Sequence, residues 1–355
     1  MRKFLPLISL ILFFSCQNEP QVSTPNFLKI AGETMGTTYH ITYEDELGRN
    51  FKKEVDSVLV EINQAVSTYI PDSEISKLNQ ARKSEEVKMG NHFKQVVISS
   101  DIIFQKTNGF FDPTVMPLVN YWGFGYTDKK AVLKTDSLAI DSLKNFVGWR
   151  KIETGTIESS TKDNDTLVLI LDDYISKQND ETQLDFSAIA KGYAVDVLAN
   201  FFQEKNLKNY LVEIGGELRT HGKNAKGKLW TTAINTPQIN AKLNDYEAII
   251  KINNKAIATS GNYRNFHEVN GEWYGHEINP KIGFPEKSNL LSVTIMADDC
   301  MSADAYATAM MVMGLEKSKA LAEKLNNIDA FFIFANEAGE LETFYTKGFE
   351  GTIVE

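Results

Sequence analysis

The run Leu184-Asp185-Phe186-Ser187-Ala188-Ile189-Ala190-Lys191-Gly192-Tyr193-Ala194-Val195-Asp196 leaves the chain little freedom, because it reads as a strand that stops sharply and opens a helix. Ile189, Tyr193, Val197 and Phe201 recur at helical spacing and face a core, while the polar residues gather at the helix N-terminus. Such a terminus favours anions. Its first N–H groups lack internal partners and its dipole carries roughly half a positive charge, so a phosphate docks there without a dedicated cationic pocket. Lys191 adds a full cation, and Asp185 offers an acceptor to a ligand N–H or hydroxyl. An ordinary strand-to-helix corner with one salt bridge uses the same residues, so its function depends on the rest of the chain.

The N-terminus carries Arg2 and Lys3, an apolar stretch from Phe4 to Phe14, and then Ser15-Cys16. This is the layout of a secretory signal, too short to span a bilayer as a permanent helix. A small residue before a cysteine at the end of the apolar run points to a lipoprotein signal peptide over 1–16, with Cys16 lipidated. Simple cleavage is the alternative, since Phe13 and Phe14 are bulkier than usual there. Residues 17–26 are polar with two prolines and form a flexible tether. The folded unit is expected over 27–350, in an exported, lipid-anchored protein at a periplasm-facing membrane, the inner one by preference. After processing, Cys300 has no cysteine to pair with inside the chain, so the core must carry the fold. A formal charge of −10 argues against nucleic acid as a partner, because a phosphate backbone calls for a basic footprint.

Along the chain, strands are predicted over 27–30, 39–43, 166–171, 183–186, 210–214, 229–234, 246–252, 255–259, 290–297, 330–335 and 341–345. Helices are predicted over 51–65, 74–80, 91–107, near 135–146, from 188 to about 205, over 302–313, and from there to 325. Several strands are consecutive and there is no strict βαβ alternation. The expected class is therefore α+β, with mostly antiparallel sheets, packed helices and two intertwined subdomains. Tyr121-Trp122-Gly123-Phe124-Gly125 contains a G-x-G but lacks the third glycine of a dinucleotide fold.

Three further places carry chemistry. Asp304 and Thr308 lie four apart on a helix, one turn above the other, and two oxygen ligands at that spacing suit a hard cation such as magnesium. A solvated helix face would show the same pair, but Ala303, Ala305, Ala307, Ala309, Met310 and Met311 imply tight packing, where a carboxylate must be paired or bind metal. His276 leads the loop Glu277-Ile278-Asn279-Pro280-Lys281-Ile282-Gly283-Phe284-Pro285 and is a candidate general base. Tyr69, Phe110, Phe111 and Trp122 stand beside turns, where they either stack on a planar ring or fill the core.

Together these pieces resemble the ApbE family of flavin transferases over nearly the whole processed chain and in order. The resemblance rests on Met35-Gly36-Thr37, Ser67-Thr68-Tyr69, Gly109-Phe110-Phe111-Asp112-Pro113-Thr114, the 185–196 run and Gly215-Gly216. It continues through Thr259-Ser260-Gly261-Asn262-Tyr263, His276-x-Ile278-Asn279-Pro280-x-x-Gly283 and Asp304-Ala305-x-Ala307-Thr308-Ala309. It implies magnesium-dependent transfer of FMN from FAD to a threonine hydroxyl of an acceptor protein, a respiratory electron-transfer subunit, with release of AMP. The implied flavin-nucleotide contacts are Met35, Tyr69, Phe110, Phe111, Asp112, Asp185, Lys191 and Ile278. The implied Mg2+ ligands are the Ala188 carbonyl and the side chains of Asp304 and Thr308. Charge on the pyrophosphate would be neutralised by the metal and Lys191, and His276 is the best available residue to remove the threonine proton. Ser187 stands where the family usually has glycine, which predicts strain if that position needs a positive φ. An FAD pyrophosphatase giving FMN and AMP, and a non-catalytic FAD-binding lipoprotein, are the competing readings.

Overall fold

The computed structural model describes residues 26–126, 135–155, 158–161, 167–170, 173–238, 245–262, 266–269 and 272–354. The signal segment, Cys16, the tether up to Pro25 and Tyr263 lie outside the described residues, as do the two ends of the strand predicted over 166–171. Among the described residues, no helix is long and apolar enough to cross a membrane.

Eight strands form the central sheet: β1 (Phe27–Thr34), β2 (Thr37–Glu44), β3 (Tyr210–Ile214), β4 (Glu217–His221), β5 (Ala256–Gly261), β6 (Leu290–Ala297), β7 (Ile328–Ala335) and β8 (Leu341–Tyr345). They lie in the sheet in the same order as in the chain, every neighbour antiparallel. The class is α+β with antiparallel sheets, as the consecutive strands imply. The helices arrive as insertions between strands: α1 (Lys52–Val66), α2 (Glu74–Gln80), α3 (Asn91–Lys106), α4 (Met116–Tyr121), α5 (Ser137–Lys144) and α6 (Ala190–Glu204) between β2 and β3, then α7 (Cys300–Met313) and α8 (Leu315–Lys324) between β6 and β7.

Period-two alternation sorts the sheet's apolar residues onto two faces. Val293, Ile295 and Ala297 of β6 and Ala330 and Phe332 of β7 join the helices in the main core cluster. Met296, Phe331 and Ile333, one residue out of phase, pack instead with Ile234, Ile250 and Ile252. Those last residues belong to a small sheet of Trp230–Asn235, Tyr246–Ile252 and Ile353–Val354. A third cluster joins Leu118, Trp122, Ile140 and Ile278 and supports the loop after His276.

Helices α6 and α7 meet unusually closely. A Cβ built on Gly192 would lie 2.3 Å from the Cys300 carbonyl oxygen and 2.8 Å from the Asp304 Cβ, so only glycine fits. One turn along, Asp196 accepts hydrogen bonds from the Cys300 and Met301 N–H groups at 2.9 and 2.8 Å and from Arg219 at 2.8 Å. A side chain of α6 thus satisfies the orphan donors that open α7, beside that helix's own N-cap Asp299. Burial and then the nearby Asp299 charge push the Asp196 carboxyl up to about 6.

The predicted elements differ from the structure in a few places. Residues 183–186 do not form a strand: Gln183 makes one isolated parallel bridge to Val115, and the following backbone is held by side chains. Asn79 grips Leu184 from both sides, its Oδ1 accepting from Leu184 N–H at 2.7 Å and its Nδ2 donating to the Leu184 carbonyl at 2.9 Å. Helix α7 begins at Cys300, two residues before the predicted start, because Asp299 caps it through the Ser302 N–H. Ser187 is not among the residues with positive φ, so the expected strain does not arise. Overpacking at the α6–α7 contact generates the first prediction: Gly192→Ala should lower the unfolding free energy by about 2 kcal/mol or more in urea titrations. An unchanged midpoint would mean that the helices have room to part.

Candidate functional site

The hairpin joining β1 to β2 turns through Met35 and Gly36, with φ of 50° and 73°. Positive φ at both central positions is the signature of a type I′ turn, which matches the twist of the flanking strands. Methionine tolerates that region poorly, and this strained residue lines the mouth of a cleft of about 1470 Å³. The residues implied by the family resemblance all line the same cleft: Met35, Tyr69, Phe110, Phe111, Asp112, Asp185, Ala188, Lys191, His276, Ile278, Asp304 and Thr308. They come from six separate stretches of chain. Trp122, the other aromatic residue singled out beside a turn, is core instead.

At one end, Tyr69 is 66% exposed and presents its ring to solvent. Phe110 carries two ammonium groups over its ring, Lys281 at 4.2 Å and Lys317 at 5.1 Å from the centroid. Phe111 is buried. Asp112 uses its carboxylate to tie its own loop to the segment at Trp149, accepting from Thr114 N–H (2.9 Å), Thr114 Oγ1 (2.6 Å) and Trp149 N–H (3.2 Å). It therefore shapes the segment that carries the aromatic pair. The Pro113 carbonyl in turn accepts the Asp185 N–H at 2.7 Å, locking that segment to the 185–192 corner.

At the corner, Asp185 Oδ1 accepts from the Ser187 N–H at 2.8 Å and from Ser187 Oγ at 2.5 Å. The serine that stands in place of glycine is thus a partner of Asp185. Burial pushes the Asp185 carboxyl above the usual carboxylate range, with the two Ser187 bonds opposing the rise. The approach to the corner is pinned by Lys177, a fully buried lysine. Its ammonium donates to the carbonyls of Asn79, Asp180 and Thr182 at 2.9, 2.8 and 3.1 Å.

Beyond the corner lies a cluster of oxygen atoms. Gly192 N–H donates to Asp304 Oδ2 at 3.0 Å. In a regular helix that N–H would return to the Ala188 carbonyl; here, among the described residues, no N–H donates to that carbonyl. Thr308 shares a hydrogen bond with Ser260 at 3.1 Å. An unpartnered carbonyl, a buried carboxylate and a hydroxyl at one cleft wall are the all-oxygen donor set that suits Mg2+, which keeps part of its shell for water or phosphate. No group of three or more His, Cys, Asp or Glu side chains suited to a metal occurs among the described residues.

Lys191 pairs with Glu217, which follows the Gly215-Gly216 turn between β3 and β4. Burial works against the lysine's charge, but Asp304 and then Glu217 outweigh it and hold the ammonium above its ordinary range. Burial pushes Glu217 up to about 7, with Lys191 pulling it back and Asp304 adding to the rise. Its second oxygen, Oε2, is buried without a hydrogen-bond partner. Across the cleft, His276 stands at the head of its loop. The loop is fixed by the Ile278–Pro285 bridge, by the Asn279 N–H to Phe284 carbonyl bond (2.9 Å), and by Trp122 Nε1 donating to the Gly283 carbonyl at 2.9 Å.

A cleft with an anion-favouring corner, a lysine and an oxygen-rich wall suits a phosphorylated ligand. Residues 35–332 match the ApbE family, and the chain belongs to it. It is 38% identical over 344 residues to the FAD:protein FMN transferase of Vibrio cholerae, covering 96% of each chain. It is 35% identical over 339 residues to that of Haemophilus influenzae, covering 94% of this chain and 91% of the relative. The fold superposes on the flavin transferase ApbE from Vibrio cholerae with a TM-score of 0.80 at 35% identity, covering 92% of this chain and 99% of the other. It superposes on the apo flavinyl transferase ApbE of Pseudomonas stutzeri with a TM-score of 0.79 at 30% identity, covering 92% and 96%.

Sequence reasoning missed Glu217 as the partner of Lys191, Ser260 as the partner of Thr308, and Asn79 and Lys177 as supports of the corner. Glu217 directly follows the Gly215-Gly216 motif and Ser260 lies inside the Thr259-to-Tyr263 motif, so a signal existed. Asn79 sits far from the corner in the chain, and Lys177, though close to it, carries no local sign of burial. The Lys191–Glu217 pair generates a pH prediction. In Lys191→Met, Glu217 becomes a buried carboxylate with its counter-charge gone, so its folded-state pKa rises further above the unfolded value. The stabilising form is then the protonated one, present at low pH and lost as pH rises through the folded-state value. Lys191→Met should therefore cost about 3 kcal/mol at pH 8.5 and clearly less at pH 5.5, read by denaturant titration at both. An equal cost at the two pH values would show that the pair is not coupled in the fold.

Proposed function

We propose that this protein transfers the FMN part of FAD to a threonine hydroxyl of an acceptor protein and releases AMP. The observation that carries this reading is the convergence, in one cleft of an ApbE-family chain, of the Asp185 corner, Lys191, the Ala188–Asp304–Thr308 oxygen set and His276. Its curated relatives are named FAD:protein FMN transferases, which supports the same donor, group and class of acceptor here. The Cys16 signal supports a lipid-anchored protein at a periplasm-facing membrane, where redox-complex subunits offer acceptors.

In this reading the flavin end of FAD lies against Tyr69, Phe110 and Met35, with Ile278 as apolar floor. Asp185 accepts a ligand hydrogen bond, and the corner holds the pyrophosphate with Lys191. The Ala188 carbonyl, Asp304 and Thr308 would hold Mg2+, which when bound would neutralise charge on the pyrophosphate oxygens. His276 takes the proton of the threonine hydroxyl. The threonine oxygen bonds to the FMN-side phosphorus, the pyrophosphate P–O bond breaks, and AMP leaves with that oxygen. Lys191 and the helix N-terminus face the charge that builds on the transferred phosphoryl group, and being fixed in the fold they need no reorganisation in the transition state.

The test incubates the processed protein with FAD, Mg2+ and a threonine-containing acceptor. A covalently fluorescent acceptor band and stoichiometric AMP are expected. Free FMN and AMP without any acceptor would point to the pyrophosphatase, and intact FAD that stays bound would point to the non-catalytic binder. Asp304→Ala or Thr308→Ala should lower transfer at least about a hundredfold while FAD affinity changes less, and EDTA should reproduce the loss in the parent protein. Full activity in either variant would remove these residues from the metal site.

A further inference from the structure

We propose that Glu277 is the positioning residue of His276, fixing which ring nitrogen carries the proton and stabilising the imidazolium that forms when the base is protonated. This inference rests on the base role given to His276 above and adds the group that sets its state. The carboxylate oxygen Oε2 of Glu277 stands 3.4 Å from His276 Nδ1. The Glu277 side chain is 6% exposed while that of His276 is 39% exposed, so the histidine borders solvent and substrate and the glutamate lies behind it. The other carboxylate oxygen, Oε1, is buried with no hydrogen-bond partner. A carboxylate in that setting is costly to the fold unless a cation balances it. The charged group that acts on it favourably is His276; burial otherwise pushes Glu277 above the usual carboxylate range.

The geometry around the pair agrees with an orienting role. The Phe124 ring meets the imidazole edge-on, with centroids 6.3 Å apart and planes at 64°. Ile278 and Asn279, the next two residues, are buried and bonded into the loop, so the backbone beneath His276 and Glu277 is fixed. With Nδ1 turned to the carboxylate, the Nδ1–H tautomer is favoured, and Nε2 is the nitrogen suited to accept the threonine proton. The remaining titratable groups of the cleft with carboxylate or ammonium charge are Asp112, Asp185, Lys191, Glu213, Glu217 and Asp304. Asp112, Lys191, Glu213, Glu217 and Asp304 are each hydrogen-bonded or paired elsewhere, and Asp185 is bonded to Ser187.

The test uses the processed full chain and its E277Q variant, which keeps shape and removes charge. Nitrogen-15 NMR of the histidine side chains, with the His276 signal assigned by its loss in H276A, reads the tautomer directly. The Nδ1–H tautomer is expected in the parent protein, and its population should fall in E277Q. The rate of AMP release is measured with FAD, Mg2+ and a threonine-containing acceptor. The maximal rate should fall at least about tenfold, while FAD affinity stays within a factor of two. An E277Q protein with the parent's His276 tautomer and rate overturns the role of Glu277 and leaves the base role standing. Loss of thermal stability with the His276 tautomer unchanged also overturns it, since the glutamate would then be structural only. H276A transferring FMN at the parent rate would overturn the base role itself, and with it any catalytic purpose for the pair.

Discussion

The cleft depends on one backbone hydrogen bond, from Gly192 N–H to Asp304 Oδ2. It exists because α6 and α7 approach so closely that any side chain at position 192 would strike the Cys300 carbonyl. Its consequence is local and chemical. The N–H that would close the first turn of α6 onto Ala188 is spent on Asp304, so the helix makes no use of the alanine carbonyl, and both residues line the cleft. One contact thus joins two helices, fixes a carboxylate and leaves a carbonyl without the helix's own hydrogen bond. Asp196, one turn further, secures the same contact by bonding the N-terminal donors of α7.

The central sheet explains how distant stretches reach this point. Because its strands lie in chain order, α6 and α7 enter as insertions, packed on the face that carries Ala256, Ala258, Val293 and Ile295. Small residues on β5 let α7 lie close against it, and Ser260 on that strand reaches Thr308. The β3–β4 turn through Gly215 and Gly216 brings Glu217 under Lys191. A Cβ on Gly215 would meet Thr37 of β2 at 2.8 Å, so this turn too is set by close approach as much as by its positive φ.

Much of this was legible in the sequence, for identifiable reasons. Helices α1, α3 and α6 announce themselves by apolar spacing, and α3 ends at Asn108-Gly109 with φ of 51° and 73°, as the dipeptide implies. The antiparallel character follows from strands without intervening helices. The site residues were named because their motifs kept family order, and the ligand role of an alanine carbonyl came from that resemblance alone. What stayed hidden is what depends on distance. The 183–186 segment has strand composition, yet Asn79, 105 positions upstream of Leu184, satisfies its backbone instead of a neighbouring strand. Lys177 reads as a surface lysine in an exposed-looking stretch, yet three carbonyls enclose its ammonium. Neither partnership leaves a trace in local periodicity.

The central claim is that the Gly192–Asp304 contact builds a cation site from the Ala188 carbonyl, Asp304 and Thr308. Its most direct test is a crystal of the protein grown with FAD and Mn2+ as a magnesium substitute, with anomalous diffraction recorded to locate the metal. A single strong peak within about 2.3 Å of the Ala188 carbonyl oxygen, an Asp304 carboxylate oxygen and Thr308 Oγ1 is the predicted result. A peak held by other residues, or FAD bound in the cleft with no metal beside those three atoms, would contradict it.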